Sequence, residues 1–389
     1  MNFTGPTEAE ADLLLQKHDI AALDRLESQL IDESAPTVDQ LAVKLAKSKA
    51  RVKNWNDPLR ISVVFAVYKE SRRILNPEQD PIGEDFLNLK VSQLRWLFEE
   101  DDRWDLTVVD DGCPDGSGEI AQRIIAGNGY DRARVLYLAE AIADGHPVVT
   151  GLRTTDDSRK GGSIELGMYE AASGPAEGHI VAYTDADIST HLGQLGLLAG
   201  PIVGGSIVAA GSRREPTSVV VKSTARSDRG KLFIYLWKQL LPELRDIIDT
   251  QCGFKGFRRE VVRELVTDTL EKKFAFDIEL LLRAHLREPN SIERVAVAWI
   301  DSEAGSTTKD LEPYLPMLKS IAAMYRRYSI HTERQESFAR LIEDMDDKSW
   351  EASLRGIPSA IVEREPHSFA TWHGVEASEI RDAASQDDV

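Results

Sequence analysis

The sequence predicts an α/β fold, in which a mixed, mostly parallel sheet is flanked by helices and both chain ends carry helical extensions. The first observation is a set of short, continuous β-branched runs, such as residues 61–67, which are typical of strands covered on both faces. These runs alternate with amphipathic helical segments, an order that produces βαβ units. The composition, with 42% hydrophobic and 29% charged residues in a chain of 389, allows a sizeable core.

The N-terminal extension is predicted over residues 1–57. Leucines at helical spacing indicate a helix over residues 7–30, and Pro36 interrupts the pattern. A capping-box pattern that begins at Thr37 predicts a second helix to about residue 50. This hairpin either packs on the main domain or forms a homodimer contact, and the sequence leaves both open.

The central domain is predicted over residues 58–310. Strands are expected at residues 61–67, 105–110, 134–138, 180–183, 207–211 and 292–299. Helices are expected at residues 87–98, 116–126, 163–172, 227–241, 257–267 and 275–286, with a turn-rich segment at 249–256. The apolar stripe of residues 232–240 suits either a contact with the core or a contact with a membrane surface.

The C-terminal extension is predicted over residues 311–389 as helical with an acidic tail. A helix over residues 311–328 is expected to close the ordered part. The last ten or so residues lack apolar anchors, so we expect them to be disordered.

The overall charge of the chain argues against one class of binding partner. A formal net charge of −18 and a pI near 5.0 argue against nucleic acid, which requires a clustered basic surface. Two cysteines, Cys113 and Cys252, give no disulfide framework and fit a reducing compartment. Because the sequence has neither a transmembrane segment nor a signal peptide, a soluble cytoplasmic protein is expected.

Two carboxylates, Asp185 and Asp187, follow the buried strand predicted at residues 180–183. Side chains at positions i and i+2 of a strand end lie on the same side, so both carboxylates can face one ion. Mg²⁺ and Mn²⁺ prefer such oxygen ligands, often together with the phosphates of a substrate. The alternative is that these aspartates cap turns or helices.

Further acids follow two other predicted strands, at Glu70 and at Asp111. The carboxyl ends of strands in an open α/β sheet are where ligands bind, so these acids should meet at one edge. A carboxylate there can accept a hydrogen bond from the ring N–H of uracil or guanine, while Gly112 and Gly116 allow a sharp turn. The alternative is a plain βα turn in which the aspartate caps the next helix.

Together these motifs resemble family 2 glycosyltransferases of the GT-A fold in their order along the chain. The motifs are AVYKE at residues 66–70, VDDGCPDGS at 109–117, KGG at 160–162, TDAD at 184–187 and GSR at 211–213. DTQCGFK at residues 249–255 and FDIEL at 276–280 look like the dolichyl-phosphate glucosyltransferase branch, among the polyprenyl-phosphate glycosyltransferases. The resemblance spans roughly residues 60–306.

The resemblance implies a metal-dependent, inverting enzyme that transfers a sugar from a nucleotide sugar, most often UDP-linked, to an acceptor hydroxyl or phosphate. The acceptor would be a small molecule or a polyprenyl phosphate. It implies Asp185 and Asp187 as ligands of Mg²⁺ or Mn²⁺, and Asp277 as the general base. The implied donor-binding residues are Ala66, Tyr68, Glu70, Asp111, Lys160, Asp185, Ala186, Arg213 and Gln251.

Other interpretations of the same residues stay open. Asp277 could begin a helix, where the macrodipole favours an acid, and Arg213 could form an ordinary ion pair. A nucleotidyltransferase could use a similar layer, although residues 68–73 lack the glycine-rich phosphate loop expected of that class. A non-catalytic module that binds nucleotide sugars is the third possibility.

Overall fold

The computed structural model describes residues 6–55, 59–99, 102–173, 178–221, 228–301, 314–329 and 331–385. The strands are β1 (Arg60–Val67), β2 (Trp104–Asp110), β3 (Ala133–Tyr137), β4 (His179–Thr184), β5 (Val208–Ser212), β6 (Val219–Val221), β7 (Phe254–Arg258), β8 (Ile292–Ala296) and β9 (Ala298–Ile300). The central sheet has the order β3-β2-β1-β4-β7-β5-β8. β7 runs antiparallel to both of its neighbours, and the other pairs are parallel.

Helices cover both faces of this sheet. They are α1 (Pro6–Lys17), α2 (Ile20–Asp32), α3 (Thr37–Asn54), α4 (Phe86–Phe98), α5 (Ser117–Gly127), α6 (Leu138–Ala143), α7 (Gly161–Ala171), α8 (Leu195–Val203), α9 (Asp228–Leu240), α10 (Arg259–Val266), α11 (Phe276–Arg287), α12 (Tyr314–Tyr328), α13 (Glu333–Asp344), α14 (Asp347–Arg355), α15 (Ser359–Val362) and α16 (Ala377–Ser385). Along β1, Val63 and Phe65 face the core shared with α4 and α8, while Val64 faces the core shared with α7 and α9. The predicted fold class, a mixed and mostly parallel sheet between helices, is confirmed.

The N-terminal segment differs from the expected hairpin. The single helix predicted over residues 7–30 is wrong, because α1 and α2 are separate helices and the Asp19 side chain caps α2 by accepting from Ala22 N at 2.7 Å. α3 then packs closely on α8, where Gly196 N donates to Ser48 Oγ at 2.9 Å. The predicted boundary at residue 57 and the predicted homodimer contact stay predictions.

The antiparallel strand β7 occupies residues that were predicted to form a turn and the start of a helix. That prediction is wrong because pairing decides the conformation of this segment, which inserts between β4 and β5 and is buried. Gly211 allows the close approach, since a Cβ there would lie 2.5 Å from Phe254 O. Residues 292–299, predicted as one strand, are β8 in the central sheet and β9, which pairs in parallel with β6 in a second sheet.

The C-terminal extension is ordered well beyond residue 328, which corrects the expectation that the ordered part ends there. α13 and α15 pack on α9, and Tyr235 Oη of α9 donates to Val375 O at 2.6 Å. Leu232, Leu236 and Leu240 of α9 are fully buried, so their apolar stripe faces the core and not a membrane. The predicted disordered tail is wrong for residues 380–385, which belong to α16, and residues 386–389 lie outside the described residues.

Within the described ranges, no helix combines the length and the apolar character that crossing a bilayer requires.

Candidate active site

The candidate site lies along one edge of the central sheet, where β1, β2, β4 and β5 end. Because β7 is antiparallel, its first residue, Phe254, pairs with Thr184 at the end of β4 and brings residues 251–253 to the same edge. Gly253 lies directly against Asp185, since a Cβ at this glycine would be 2.3 Å from both carboxylate oxygens. Topology therefore assembles segments that are far apart in sequence.

The two adjacent aspartates at the end of β2, Asp110 and Asp111, have different hydrogen-bond partners. Asp110 accepts from Cys113 N at 2.8 Å and from Gly118 N at 3.0 Å, so it fastens the turn and the start of α5. Asp111 instead accepts from Lys160 N at 2.9 Å and from Ser163 Oγ at 2.7 Å. Burial raises the pKa of Asp111. The capping interpretation therefore holds for Asp110, whereas Asp111 faces the start of α7.

Lys160 is held in an unusual backbone conformation that directs it into the site. Its φ is +80°, which ordinary side chains rarely adopt. Lys272 O accepts from Arg159 N at 3.1 Å and from Gly162 N at 2.9 Å, on either side of Lys160. Gly161 is required there, because a Cβ would lie 2.7 Å from the Lys272 carbonyl carbon. The segment that contains Lys272 therefore shapes the turn that carries Lys160.

Asp185 and Asp187 differ in their electrostatic surroundings. The Lys160 ammonium forms an ion pair with Asp185. Burial acts to raise the pKa of Asp185, but the effect of Lys160 acts in the opposite direction and outweighs it, so the pKa is lowered. The pKa of Asp187 is raised, first by burial and then by the negative charge of Asp185. Burial lowers the pKa of Lys160, but Asp185 and Asp277 outweigh burial and raise it. Beneath this turn, the buried Lys90 donates to Asp187 O at 2.7 Å, and burial lowers its pKa to about 8.

The two carboxylates fit a hard divalent cation that shares its ligands with a diphosphate. Their donor atoms are all oxygens, the preference of Mg²⁺ and Mn²⁺. The Lys160 ammonium already places a positive charge against Asp185. Asp187 has a raised pKa, and a cation bound next to its carboxylate would stabilise the ionised form and lower that pKa. Among the described residues, no cluster of three or more His, Cys, Asp or Glu side chains could hold a metal. A cation at these two carboxylates would complete its coordination with other oxygen atoms, from water or from substrate phosphates.

Asp277 is the second residue of α11 and lies within a buried network. Lys255 Nζ donates to Asp277 Oδ1 at 2.6 Å and to Cys252 O at 2.6 Å, and the Tyr183 hydroxyl also donates to Asp277 Oδ1. Neither donor is exposed, and Asp277 is 3% exposed. Burial raises the pKa of Tyr183 well above its usual value, and Asp277 adds to the shift. Both bonds leave Oδ2 without a hydrogen bond from any residue that the structure describes.

Arg213, after β5, is held by Asp249. Arg213 Nε and Nη2 donate to the two carboxylate oxygens at 2.8 and 2.7 Å, and Arg213 N adds a bond of 2.7 Å. Burial raises the pKa of Asp249, but Arg213 outweighs burial and lowers it to about 2. Close by in sequence, Gln251 has a buried Nε2 without a hydrogen-bond partner among the residues that the structure describes, a donor that a ligand would satisfy.

Glu70, after the end of β1, has its carboxylate held by Arg73. Both of its carboxylate oxygens accept from Arg73 Nη1, at 3.2 and 3.0 Å, and Arg73 Nη2 donates to Glu84 at 2.7 Å. Burial raises the pKa of Glu70. The structure therefore does not join Glu70 by hydrogen bonds to Asp111, although both follow neighbouring strands.

The remaining predicted donor-binding residues line the same edge. The Tyr68 ring lies between two cations, with Lys69 Nζ at 5.3 Å and Arg159 Cζ at 5.8 Å from its centroid. Ala66, in β1, and Ala186, between the two aspartates, are small and half-buried, so they leave room beside the sheet edge.

Several side chains that hold the predicted site residues in place are not among the residues that the sequence predicts for the site. Lys255 was treated as a turn residue, and Tyr183 as part of a buried strand. Their role follows only from β7, which pairs Tyr183 with Lys255. Lys90 and Ser163 lie on helices, where their spacing carries no local signal of a site.

The chain has measurable similarity to curated proteins, although no family model matches it. Dolichyl-phosphate beta-glucosyltransferase of Drosophila melanogaster is 28% identical over 292 residues, which cover 72% of this chain and 79% of the relative. The Homo sapiens protein of the same name is 27% identical over 298 residues, 74% of this chain and 82% of the relative. Glycosyltransferase AglD of Haloferax volcanii is 29% identical over 254 residues, 65% of this chain but only 35% of AglD.

Solved structures show more distant similarity. Mannosyl-3-phosphoglycerate synthase from Rubrobacter xylanophilus has a TM-score of 0.47 and 15% identity, covering 82% of this chain and 84% of its own. Residues 1–349 of S. aureus TarS, in complex with UDP, have a TM-score of 0.43 and 13% identity, and the match covers 85% of this chain and 91% of the TarS chain.

Proposed function

We propose that this chain, a family 2 glycosyltransferase near the polyprenyl-phosphate branch, transfers a sugar from a nucleotide sugar to a polyprenyl phosphate. The acceptor is suggested by relatives whose name specifies dolichyl phosphate and that match this chain over most of their length. The structural observation that carries the proposal is the chain of contacts from Asp111 through Lys160 to Asp185, with Asp277 beside it.

The first part of the proposal is that Asp111 and Lys160 bind the donor, and that the donor is UDP-linked. Each carboxylate oxygen can accept more than one hydrogen bond, so Asp111 can accept from a uracil ring N–H while it keeps Lys160 N and Ser163. Lys160 has a raised pKa and stays charged at neutral pH, so its ammonium can reach a diphosphate oxygen. Gln251 Nε2 offers a further donor.

The second part is that Asp185 and Asp187 would hold Mg²⁺ or Mn²⁺. When bound, such an ion neutralises the charge that develops on the departing nucleoside diphosphate. The chain itself contributes the two carboxylates and the Lys90 bond that holds the backbone of their turn. Gly253 leaves the space in which Asp185 lies.

The third part is that Asp277 acts on the acceptor and that the sugar is transferred with inversion. Lys255 and Tyr183 orient the carboxylate through Oδ1, so Oδ2 can accept a proton from the attacking oxygen. A phosphate monoester has a second pKa near 6 and is mostly ionised at neutral pH, so it needs this help only when protonated. A single in-line displacement inverts the anomeric carbon.

The test is transfer of radiolabelled sugar from UDP-glucose, UDP-N-acetylglucosamine or GDP-mannose to undecaprenyl phosphate in detergent, with Mn²⁺ or with EDTA. We expect an extractable lipid product with a UDP-sugar and Mn²⁺, and its anomeric configuration opposite to that of the donor by NMR. Calorimetric titration with UDP, GDP and ADP identifies the nucleotide independently of transfer. Asp185→Asn and Asp187→Asn should each abolish the effect of Mn²⁺ on UDP affinity.

Two results would contradict parts of the proposal. If EDTA leaves transfer unchanged, the metal assignment at Asp185 and Asp187 is wrong. If Asp277→Asn binds UDP normally and turns over at the wild-type rate at every pH, the base lies elsewhere.

A further inference from the structure

The segment of residues 268–275, called here the rim segment, exposes two apolar side chains next to the candidate site. Leu270 is 43% exposed and Phe274 is 36% exposed. The rim segment connects α10 to α11, and Phe274 lies three residues before Asp277. Single exposed apolar residues are common on protein surfaces, but two of them on one short segment at a site entrance are a candidate contact for a ligand.

The rim segment is fixed against both halves of the site. Lys272 O accepts from Arg159 N and Gly162 N, so the segment touches the turn that carries Lys160. On its other side, Leu270 N and Glu271 N donate to the Glu279 carboxylate of α11 at 2.8 and 2.7 Å. The rim segment therefore contacts the turn that carries Lys160 on one side and α11, which carries Asp277, on the other.

Buried bonds keep the backbone of the rim segment from rearranging to hide these side chains. Lys272 Nζ donates to Glu165 Oε2 at 2.5 Å and to Val148 O at 2.7 Å, and both charged side chains are almost fully buried. The Thr269 hydroxyl donates to the same Glu165 oxygen at 2.9 Å. The apolar exposure is thus a property of a rigid surface, which is suited to binding without an ordering cost.

Cations accompany the apolar side chains. Lys273 lies between them in sequence and is exposed, and Arg159 is exposed on the adjoining turn. A surface that combines exposed apolar groups with positive charge is complementary to a molecule with an apolar chain and an anionic head. A polyprenyl phosphate has this chemistry, because it joins a long apolar chain to an anionic group in one molecule.

We infer that Leu270 and Phe274 bind the isoprenoid chain of the acceptor next to its phosphate, while the phosphate reaches the sugar donor beside Asp277. This inference rests on the proposed function, because it assumes a polyprenyl phosphate acceptor. It assigns the rim segment as the part of the protein that selects acceptors by their apolar chain.

The experiment compares undecaprenyl phosphate with ethyl phosphate, which has no isoprenoid chain, as acceptors, using the UDP-sugar that wild-type protein accepts. Leu270→Ser and Phe274→Ser should each raise KM for undecaprenyl phosphate roughly tenfold, as expected for the loss of one apolar contact. They should leave the KM of the donor and the kcat/KM for ethyl phosphate within about twofold. Thermal unfolding of each variant confirms that the fold is intact.

Leu286→Ser is the matched control. Leu286 is also 43% exposed, but it lies near the end of α11, about 13 Å along the helix from Asp277. This variant should behave as wild type with both acceptors. Flotation with phosphatidylglycerol vesicles that lack acceptor separates binding of the acceptor chain from binding of a bilayer surface.

The outcomes distinguish this inference from the proposed function. Transfer by wild type to undecaprenyl phosphate, with unchanged KM in both rim variants, would overturn the inference and leave the proposed function standing. A loss of vesicle flotation in the rim variants without a change in KM would likewise overturn it and assign the residues to a bilayer contact. Transfer to neither acceptor by wild type would overturn both.

Discussion

Lys255→Met tests whether the buried pair with Asp277 holds the site together. Methionine has a similar length and shape but no charge, so the substitution removes the ammonium without opening a large cavity. Lys255 is fully buried, and its Nζ lies 2.6 Å from Asp277 Oδ1. Removing one member of a buried pair leaves an uncompensated charge, which typically costs about 3–5 kcal/mol of unfolding free energy.

The assay is urea unfolding at neutral pH, together with steady-state transfer. In Lys255→Met the buried carboxylate has lost its cation and one of the two donors to Oδ1, so the substitution should both destabilise the fold and leave Asp277 poorly oriented. Turnover should fall most below about pH 6, where the acceptor phosphate keeps a proton that Asp277 has to accept. Tyr183→Phe removes only a hydrogen bond, so it should cost about 1 kcal/mol.

The double variant Lys255→Met with Asp277→Asn separates stability from chemistry. Both charges are then absent, so most of the lost stability should return, whereas turnover below about pH 6, where the acceptor phosphate keeps a proton, should stay low. The coupling between the two substitutions should be of the order of 3 kcal/mol, since the residues are in direct contact. A loss below about 1 kcal/mol in Lys255→Met, or additive effects in the double variant, would refute the reasoning.

Three further perturbations follow from the contacts of the same site. Lys160→Met should weaken the binding of UDP in the presence of Mn²⁺ by tenfold or more. In calorimetry it should tighten the binding of Mn²⁺ alone, because the ammonium no longer competes with the ion at Asp185. Weaker Mn²⁺ binding would contradict this. Gly253→Ala should displace Asp185, since the added Cβ would lie 2.3 Å from the carboxylate oxygens. It should lower UDP affinity in the presence of Mn²⁺ about tenfold while the unfolding free energy changes by less than about 1 kcal/mol. Unchanged affinity would show that the Asp185 side chain moves freely. Asp249 has a pKa lowered to about 2 by Arg213 against the effect of burial, so its charge stabilises the fold above pH 4 and that contribution disappears towards pH 2. Asp249→Asn should therefore cost roughly 2 kcal/mol in urea unfolding at pH 7 and less at each step below pH 4, and a difference that is independent of pH would exclude the ion pair as its source.

The parts of the fold that the sequence predicted well are those whose local pattern and tertiary burial agree. β1 is a continuous apolar run because helices cover both of its faces, so the pattern and the environment coincide. β7 lacks that agreement, because one glycine and two charged residues accompany its two phenylalanines. Its conformation depends on pairing with β4 and β5, which no local window contains.

The start of two C-terminal helices is marked in the sequence by capping boxes. Thr332 and Gln335 form a capping box at the start of α13, and Asp346 and Ser349 form another at the start of α14. Both spacings can be read from the sequence, whereas the overall acidity of the region favoured a flexible tail. Local caps were therefore a better guide there than composition.

For the candidate site, motif order predicted which residues come to one edge but not what each one contacts. Asp110 and Asp111 are adjacent and identical in type, yet one fastens a turn and the other faces Lys160. The pair of Lys255 and Asp277 joins residues 22 positions apart, on different elements. Such pairings depend on strand insertion and helix placement, so they follow from the fold and not from spacing.

The charges of the site explain why donor and metal should bind together. Without ligands, Asp185 is neutralised by Lys160, and Asp277 by Lys255. A divalent cation at Asp185 would displace the Lys160 ammonium, whose raised pKa depends first on Asp185, so the ammonium would then need a new anion beside it. A diphosphate supplies that anion, but alone it would add negative charge beside Asp187. On the proposed function each ligand would therefore offset the unfavourable charge that the other introduces, and we expect Mn²⁺ to strengthen UDP binding by the same factor that UDP strengthens Mn²⁺ binding.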